Sequence, residues 1–202
     1  ALEIYFISGM EIIMSQLKCD FKVVGPVQTN CYFLSNTDTR ECVIVDPGEE
    51  AGKIADFIEK KELKPVAILL THGHFDHIGA VDEIRNRYGI KVYAAAAEKE
   101  TLENPDINLS SQFGGGYTVK ADEFLNDGQE IELLGEKVRC LLTPGHTKGG
   151  MCYYFTGSGI LFSGDTLFQQ SVGRTDFPGG SMGEIVRSIR EKLFVLPDYV
   201  RV

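Results

Sequence analysis

The sequence predicts a layered α/β protein that folds as one domain. Short β-rich runs alternate along the chain with amphipathic stretches, as in proteins whose helices pack against sheets. The segment 49–61 places Ile54, Phe57 and Ile58 on one face of a predicted helix. The continuous apolar run 66–70 follows and predicts a strand that is covered on both faces. The combination indicates a sheet with helices packed on it.

The other elements are predicted in chain order. Two neighbouring strands, at 32–34 and 42–45, precede the first helix and are joined by a polar turn. Ser181 and Glu184, three positions apart, indicate a capping box at the start of the last helix. Residues 104–118 contain a glycine run and predict a long irregular loop that forms a mobile cap. The remaining elements are helices at 78–88 and 95–103 and strands at 91–94, 138–142, 150–155 and 159–162.

The two ends of the chain are interpreted separately. Residues 1–9 resemble a protease-cleavable tag remnant, so the domain is assigned to residues 10–202. A short native strand is the alternative interpretation of the first segment. Residues 198–202 look like the start of a strand, and the expectation is that the natural protein continues beyond them.

Charge and cysteine content limit the functions that are plausible for this chain. The sequence has 20 Lys+Arg and 29 Asp+Glu, a formal net charge of -9, which disfavours nucleic acid as a partner. No apolar run approaches the roughly 18 residues that cross a bilayer, so no membrane partner is expected. Five cysteines without C-x-x-C spacing predict free, buried thiols in a reducing compartment, and therefore a cytoplasmic protein. The oligomeric state stays open.

One loop concentrates side chains that bind metals. His72 and His74 can converge on one cation, because Gly73 between them permits a tight turn. Asp76 and His77 add an oxygen and a nitrogen ligand immediately afterwards. Four such side chains are too many for one tetrahedral ion that must also keep an open position. The loop therefore predicts a pair of ions.

Two further side chains complete the pattern in the second half of the chain. His146 follows the predicted strand 138–142, and Asp165 follows the strand 159–162. Taken alone, either residue could be a loop cap. Together with the His-rich loop, they form a set that is typical of a metal site.

This pattern, H-x-H-x-D-H with a later His and Asp, resembles that of the metallo-β-lactamase-fold superfamily. The resemblance covers residues 10–202 and implies an αββα sandwich, in which two mixed sheets are flanked by helices. It implies two metals at the strand ends along one edge. The ligands would be His72, His74 and His146 for the first metal, Asp76 and His77 for the second, and Asp165 as the bridge. Asp46 would support the metal loop without binding a metal itself.

Within the superfamily, the closer resemblance is to small glyoxalase-II-like hydrolases. It lies in residues 164–168 and 173–180, and the Gly-Arg-Thr-Asp-Phe part is also similar to that of iron-dependent persulfide dioxygenases. The family has one more His ligand after the strand that follows the last helix, whereas this chain ends at Val202. If that length is complete, the second metal lacks a ligand.

The resemblance implies a thioesterase that acts on substrates of the hydroxyacyl-glutathione type. Two divalent ions, zinc first and iron or manganese as alternatives, would lower the pKa of a water towards about 7 and so provide a hydroxide. Asp76 and Asp165 would be the catalytic carboxylates. The expected substrate contacts are Arg174, Lys148, Phe113 and Tyr117. For the two basic residues, an ion pair or a solvated surface charge is an equal alternative.

Three other functions are alternatives to this hypothesis. A persulfide dioxygenase would hold a single iron on His72, His146 and Asp165, a set that suits ferrous iron. A metal-binding module without catalysis is the non-enzyme alternative. A β-lactamase is disfavoured because no export signal is present and because Asp165 resembles the bridging ligand of the hydrolases.

Overall fold

The computed structural model describes residues 5–7, 10–12, 16–113 and 115–202. Near the start, strands β1 (Tyr5–Ile7) and β2 (Met10–Ile12) pair as an antiparallel hairpin. The other residues of the segment 1–9 lie outside the description. The interpretation of that segment as a tag remnant therefore stays a prediction.

The larger sheet has six strands within the described residues, and it is mixed. Its first two pairings are antiparallel and its last three are parallel. In spatial order the strands are β3 (Leu17–Val24), β4 (Thr29–Asn36), β5 (Glu41–Val45), β6 (Lys64–Leu69), β7 (Lys91–Ala95) and β8 (Glu123–Leu125). Because β5 and β6 are parallel, the loops that follow them leave from the same edge of the sheet.

The smaller sheet has four antiparallel strands in the described part of the chain. They are β9 (Glu130–Leu133), β10 (Glu136–Leu142), β11 (Met151–Phe155) and β12 (Ile160–Phe162). Arg201 adds an isolated parallel bridge to Ile160, whereas residues 198–199 form a turn, so the pairing of the predicted strand 198–202 is limited to Arg201. Since β10 and β12 are both antiparallel to β11, their carboxyl ends share one edge.

The helices connect these strands. They are α1 (Ala51–Lys60), α2 (Phe75–Ile78), α3 (Val81–Tyr88), α4 (Lys99–Glu103) after a 3₁₀ turn (Ala96–Glu98), α5 (Ser110–Phe113) and α6 (Met182–Ser188). The last helix continues as a π-helical turn (Ile189–Leu193). Ser181 caps α6 by accepting a hydrogen bond from the Glu184 N–H at 3.3 Å. The N–H of Ser181 donates instead to the Gly145 carbonyl, so only half of the predicted capping box forms.

Three apolar layers hold the fold together and confirm the αββα sandwich. One face of the larger sheet packs on α1 and α3, with Ile44 and Ile68 against Ile54 and Ile84. Its other face meets the smaller sheet. Strands β10–β12 then bury their outer face under α6 and its π-helical extension. Each sheet is thus covered on both sides, which explains the continuous apolar runs in the sequence.

The segment 104–118 differs from the prediction of a mobile, irregular cap. It contains α5, and Asn108 within it is fully buried. The Asn108 side-chain amide donates to the Tyr117 carbonyl at 2.9 Å, and the backbone carbonyl of Asn108 accepts from the Phe75 N–H at 2.9 Å. These bonds satisfy buried polar groups and fasten the segment to the start of α2. Most of the segment has no regular secondary structure, as predicted, and what differs is that part of it packs into the fold.

The cysteines and the helices test two further expectations. All five cysteines are free, and four are buried, whereas Cys19 is exposed. The prediction of free thiols is confirmed, and the prediction of burial is wrong for Cys19, which lies on the edge strand β3. In the described part of the chain, we find no helix with the length and apolarity that a membrane span requires.

Candidate metal centre

Four strand ends position the candidate ligands. Strand β5 leads into Asp46, and β6 leads into the His-rich loop that ends in α2. On the smaller sheet, β10 leads to His146 and β12 leads to Asp165. The loops from the two sheets meet, as the Met151 N–H donates to the carbonyl of Thr71 at 2.8 Å. The sandwich therefore gathers residues that lie up to 119 positions apart in the sequence, from Asp46 to Asp165.

The first group of side chains is a cluster of three buried histidines, which we call the histidine set: His72, His74 and His146. One nitrogen of each ring lies within 4.8 Å of the other two. The His74 Nδ1 and His146 Nε2 atoms are 2.9 Å apart. The buried Nε2 of His72 has no hydrogen-bond partner among the residues that the structure describes. A buried polar atom left in this way costs about 1–3 kcal/mol, a cost that a bound cation would remove.

The second group, which we call the acidic set, consists of Asp76, His77 and Asp165. The His77 Nε2 lies 3.4 Å from the Asp76 Oδ2 and 3.5 Å from the Asp165 Oδ1. The other carboxylate oxygen of Asp165 lies 3.5 Å from the His146 Nε2. One carboxylate thus directs one oxygen to each set, which is the arrangement that a bridging ligand needs. The Asp76 and Asp165 side chains are 17% and 30% exposed, so the site opens to solvent on this side.

Asp46 lies beneath both sets. Its carboxylate accepts hydrogen bonds from the Thr71 N–H at 2.8 Å and the Thr71 hydroxyl at 2.6 Å. It also lies 2.9 Å from the His77 Nδ1. Asp46, His72 and His77 also bring ligand atoms within 4.8 Å of one another. We assign Asp46 to support rather than to metal binding, because its oxygens already hold Thr71 and His77 in place.

Close backbone approach explains two glycines of this region. A Cβ at Gly48 would overlap the carbonyl oxygen of Asp76, and a Cβ at Gly173 would overlap that of Asp165. The loop that starts at Gly173 then passes over His146, whose Nδ1 lies 2.7 Å from the Arg174 carbonyl. Since a carbonyl can only accept, the Nδ1 carries the proton and the Nε2 is left as the metal-facing atom.

The electrostatics of the two sets differ. Burial, with the neighbouring histidines adding to it, holds the pKa of His72 well below its usual range. Burial likewise lowers the pKa of His74 to about 3. For His77, burial opposes the charged form, but the Asp46 carboxylate, followed by Asp165 and Asp76, raises the pKa to about 10. The neutral imidazoles of His72 and His74 are donors that a divalent cation requires, whereas His77 must release a proton when it binds one.

The donor chemistry of the two sets fits metal ions. Three imidazoles without nearby thiolates suit zinc or iron, whereas a mixture of imidazole and carboxylate accepts zinc, iron or manganese. The histidine set matches the ligands predicted for the first metal. The acidic set matches those predicted for the second metal and the bridge.

The two basic residues that were predicted to contact substrate already have partners. Arg174 donates two hydrogen bonds of 2.7 Å to Asp176. Its guanidinium carbon also lies 3.9 Å from the centre of the Phe177 ring. Lys148 is exposed and lies 3.9 Å from a Glu100 oxygen. The ion-pair alternative therefore describes Arg174 best, and Lys148 makes at most a weak surface pair.

The two predicted aromatic contacts lie beside the His-rich loop. Phe113 is 65% exposed and stacks on Phe75, with ring centres 5.2 Å apart. The Tyr117 hydroxyl donates to the Phe75 carbonyl at 2.7 Å. Phe113 is therefore available for a substrate contact next to α2, whereas Tyr117 holds the loop in place.

Three residues near the ligands were not predicted. Thr29 donates from its hydroxyl to the Asp76 Oδ2 at 2.7 Å. Phe177 packs edge-on against His74, with ring centres 5.6 Å apart. Glu98 accepts a hydrogen bond from the N–H of Gly73, between the first two histidines, at 2.9 Å. Phe177 lies in the motif 173–180, so a signal for it existed, whereas no local pattern marks Thr29 or Glu98.

Comparison with known proteins agrees with this geometry. The family profile described as the metallo-beta-lactamase superfamily matches residues 24–200. The probable metallo-hydrolase YqgX of Bacillus subtilis (strain 168) is 44% identical over 181 residues, which cover 89% of this chain and 85% of that protein. The hydroxyacylglutathione hydrolase GloC of Haemophilus influenzae is 34% identical, with 87% and 84% covered.

Solved structures show the same likeness. The BLEG-1 B3 metallo-beta-lactamase superposes with a TM-score of 0.85 at 42% identity and covers 91% of this chain and 88% of its own. TTHA1623, solved in a di-iron-bound form, gives a TM-score of 0.76 at 31% identity, with 88% and 87% covered. Because the profile covers most of the chain, from β4 to the end of α6 and including all four strand ends that lead to the candidate site, the chain belongs to the metallo-beta-lactamase superfamily.

Proposed function

We propose that this metallo-hydrolase cleaves thioesters, of the hydroxyacyl-glutathione type, with two divalent metal ions. The observation that carries the proposal is the position of Asp165, whose two oxygens each lie 3.5 Å from a histidine nitrogen, one in each set. A carboxylate placed in this way serves two ions better than one. The likeness to GloC supports a thioester as the substrate.

The histidine set would hold the first ion and the acidic set the second, with zinc as the proposed metal. When bound, such ions lower the pKa of a water molecule and polarise the carbonyl that it attacks. Asp76 lies on the open side of the site, where its carboxylate can take a proton from the attacking water. The Thr29 hydroxyl, 2.7 Å from the Asp76 Oδ2, fixes the direction of that carboxylate.

A thioester suits these side chains because its leaving group needs little help. A thiolate is a stable anion at neutral pH compared with an amine or alkoxide, so no strong general acid is required. The exposed Phe113 ring would contact the thiol part of the substrate. So would the Phe177 ring, over which the Arg174 guanidinium lies.

We further propose a cytoplasmic protein with a small thioester as its partner, and neither nucleic acid nor a membrane. The free cysteines and the formal charge of -9 support these assignments.

A set of parallel assays on metal-loaded protein tests the proposed function. Metal content is measured by mass spectrometry, and hydrolysis is followed with a 2-hydroxyacyl glutathione thioester and with the matched oxygen ester. We expect two metal equivalents and a clear preference for the thioester. One equivalent of iron with oxygen consumption on a glutathione persulfide would instead establish the dioxygenase.

Hydrolysis of β-lactams is the second candidate, and a specific observation favours it. The solved B3 metallo-beta-lactamase BLEG-1 is as similar to this chain as the probable metallo-hydrolase relative is. The same protein preparation should therefore be assayed with a chromogenic cephalosporin. A larger kcat/KM on the cephalosporin than on the thioester would reject the thioesterase proposal in favour of a lactamase.

A further inference from the structure

Glu98 is a buried carboxylate outside both ligand sets. It ends the 3₁₀ turn between β7 and α4 and is 1% exposed. Burial raises the pKa of its carboxyl group, and the hydrogen bonds that it accepts oppose that rise. A buried carboxylate is costly unless several donors satisfy it, so the identity of these donors shows what the residue holds.

The donors come from both loops that carry the histidine set. The Gly73 N–H, between His72 and His74, donates to the Glu98 Oε1 at 2.9 Å. The hydroxyl of Thr147, the residue after His146, donates to the Oε2 at 3.0 Å. The Gly149 N–H adds a second bond from the later loop. One side chain therefore joins two loops that belong to different sheets and lie more than 70 residues apart.

Backbone packing reinforces this connection. A Cβ at Gly149 would overlap the backbone nitrogen of Glu98, so the later loop lies directly on the 3₁₀ turn. On the other side, a Cβ at Gly73 would lie 3.1 Å from the Leu102 side chain, which leaves little room for the earlier loop to move towards α4. The carboxylate thus lies between two loops that contact its own segment closely.

We infer that Glu98 is a positioning residue that fixes the distance between the two halves of the histidine set. It touches no ligand nitrogen itself and acts through the loop backbones. Ligand nitrogens held in place before the metal arrives bind it more tightly, because less conformational entropy is lost on binding. The inference rests on the metal centre of the proposed function and not on the substrate.

A matched pair of variants separates positioning from general stability. Thr147→Val removes the hydroxyl that links Glu98 to the His146 loop. Thr101→Val removes another hydroxyl that donates to the same carboxylate but belongs to α4 and leads to neither metal loop. Both threonines are buried, and valine keeps their shape.

Affinity for Zn²⁺ is then measured on the full chain by competition with a chromophoric chelator, with thermal unfolding of the metal-free protein as the stability control. We expect Thr147→Val to weaken the tighter binding step about tenfold or more, the usual cost of losing a partner that orients ligands. Thr101→Val should stay within about twofold of the unaltered protein. Equal losses in the two variants, or none in either, would overturn the inference.

Substitution of Glu98 itself gives a second readout. Glu98→Gln keeps one acceptor oxygen but faces at least one N–H donor with an NH₂ group, whereas Glu98→Ala removes both acceptors. We expect the Zn²⁺ affinity to fall further in Glu98→Ala than in Glu98→Gln, and the visible absorption bands of Co²⁺-loaded Glu98→Gln to shift. An unchanged affinity and spectrum in Glu98→Gln would contradict the inference. If Glu98→Ala does not fold, the threonine pair still decides.

The failure of this inference can be told apart from the failure of the proposed function. Loss of the thioesterase proposal leaves the Zn²⁺ and Co²⁺ measurements unaffected, because neither uses a substrate. An unaltered protein that binds no Zn²⁺ would overturn both.

Discussion

The two ligand sets of the metal centre differ in charge and in exposure. The histidine set is buried, and burial lowers the pKa values of His72 and His74. The acidic set surrounds one imidazole with carboxylates and opens to solvent through Asp76 and Asp165. We therefore expect the two sets to bind their metals with different affinities and to have different roles in the reaction. The preformed, buried histidine set would bind its ion tightly, and the open acidic set would hold an ion where it can act on the substrate.

The largest expected effect is that of removing the residue that joins the two sets. In Asp165→Ala, turnover should fall by at least about 10²- to 10³-fold, the loss seen when a group that stabilises developing charge is deleted. Metal content should fall below two equivalents. Steady-state kinetics with metal analysis of the same sample checks both results. Unchanged turnover would show that the carboxylate does not serve the reaction, as in a binding module without catalysis.

The second-largest effect should distinguish the metal affinity of the acidic set from that of the histidine set. Asp76→Asn keeps the size of the side chain and an oxygen that can accept from Thr29, but it removes one negative charge from the acidic set. We expect the weaker metal step to lose at least the 10- to 100-fold that altered outer partners cost, while the tighter step changes little. Stepwise Zn²⁺ titration measures the two steps. A variant that loses the tighter step instead would reverse the assignment of strong and weak sites.

The parts of this centre that could be predicted from sequence are those with a local pattern. His72, His74, Asp76 and His77 lie within six residues, and His146 and Asp165 each follow an apolar strand. Most strands and helices are predictable for the same reason, since apolar residues recur with the period of the element that buries them, whereas the edge strand β3 and the short helix α5 were not predicted.

The rest depends on contacts that leave no such pattern. Glu98 meets Gly73 across 25 positions and Thr147 across 49. Asn108 is a buried polar residue within the predicted loop, and its bonds to Tyr117 and Phe75 are among those that fasten the segment to the fold. In both cases, a polar side chain is buried because distant donors and acceptors happen to converge on it. Neither the periodicity nor the composition of the sequence predicts such contacts.

A smaller effect is expected from Asp46, which supports the acidic set through His77. Asp46→Asn keeps the shape but weakens the charged hydrogen bond to the His77 Nδ1, 2.9 Å away. We expect an affinity loss of about 10-fold for the weaker metal and a smaller loss for the tighter one. Zn²⁺ competition measures it at neutral pH. Equal losses at both steps would mean that Asp46 acts mainly through Thr71, which precedes both sets.

The last comparison concerns two backbone glycines that lie four residues apart, one in a crowded position and one in an open one. Gly48 lies against the Asp76 carbonyl, so Gly48→Ala forces the loop after β5 away from α2 and should destabilise the fold by about 1–3 kcal/mol. Gly52 in α1 is exposed, and an added Cβ would meet nothing within 4 Å. Gly52→Ala should therefore stabilise the protein by about 0.4–1 kcal/mol, since alanine loses less chain entropy in a helix.

Urea unfolding of both variants, without metal and with saturating Zn²⁺, separates packing from metal binding. Because α2 carries Asp76 and His77, Gly48→Ala should lose more stability with Zn²⁺ present than without it, whereas the gain in Gly52→Ala should be the same in both conditions. If Gly48→Ala costs the same with and without Zn²⁺, the contact between the β5 loop and α2 holds the fold but does not shape the acidic set. The histidine set would then be the part of the centre that the sandwich positions most closely.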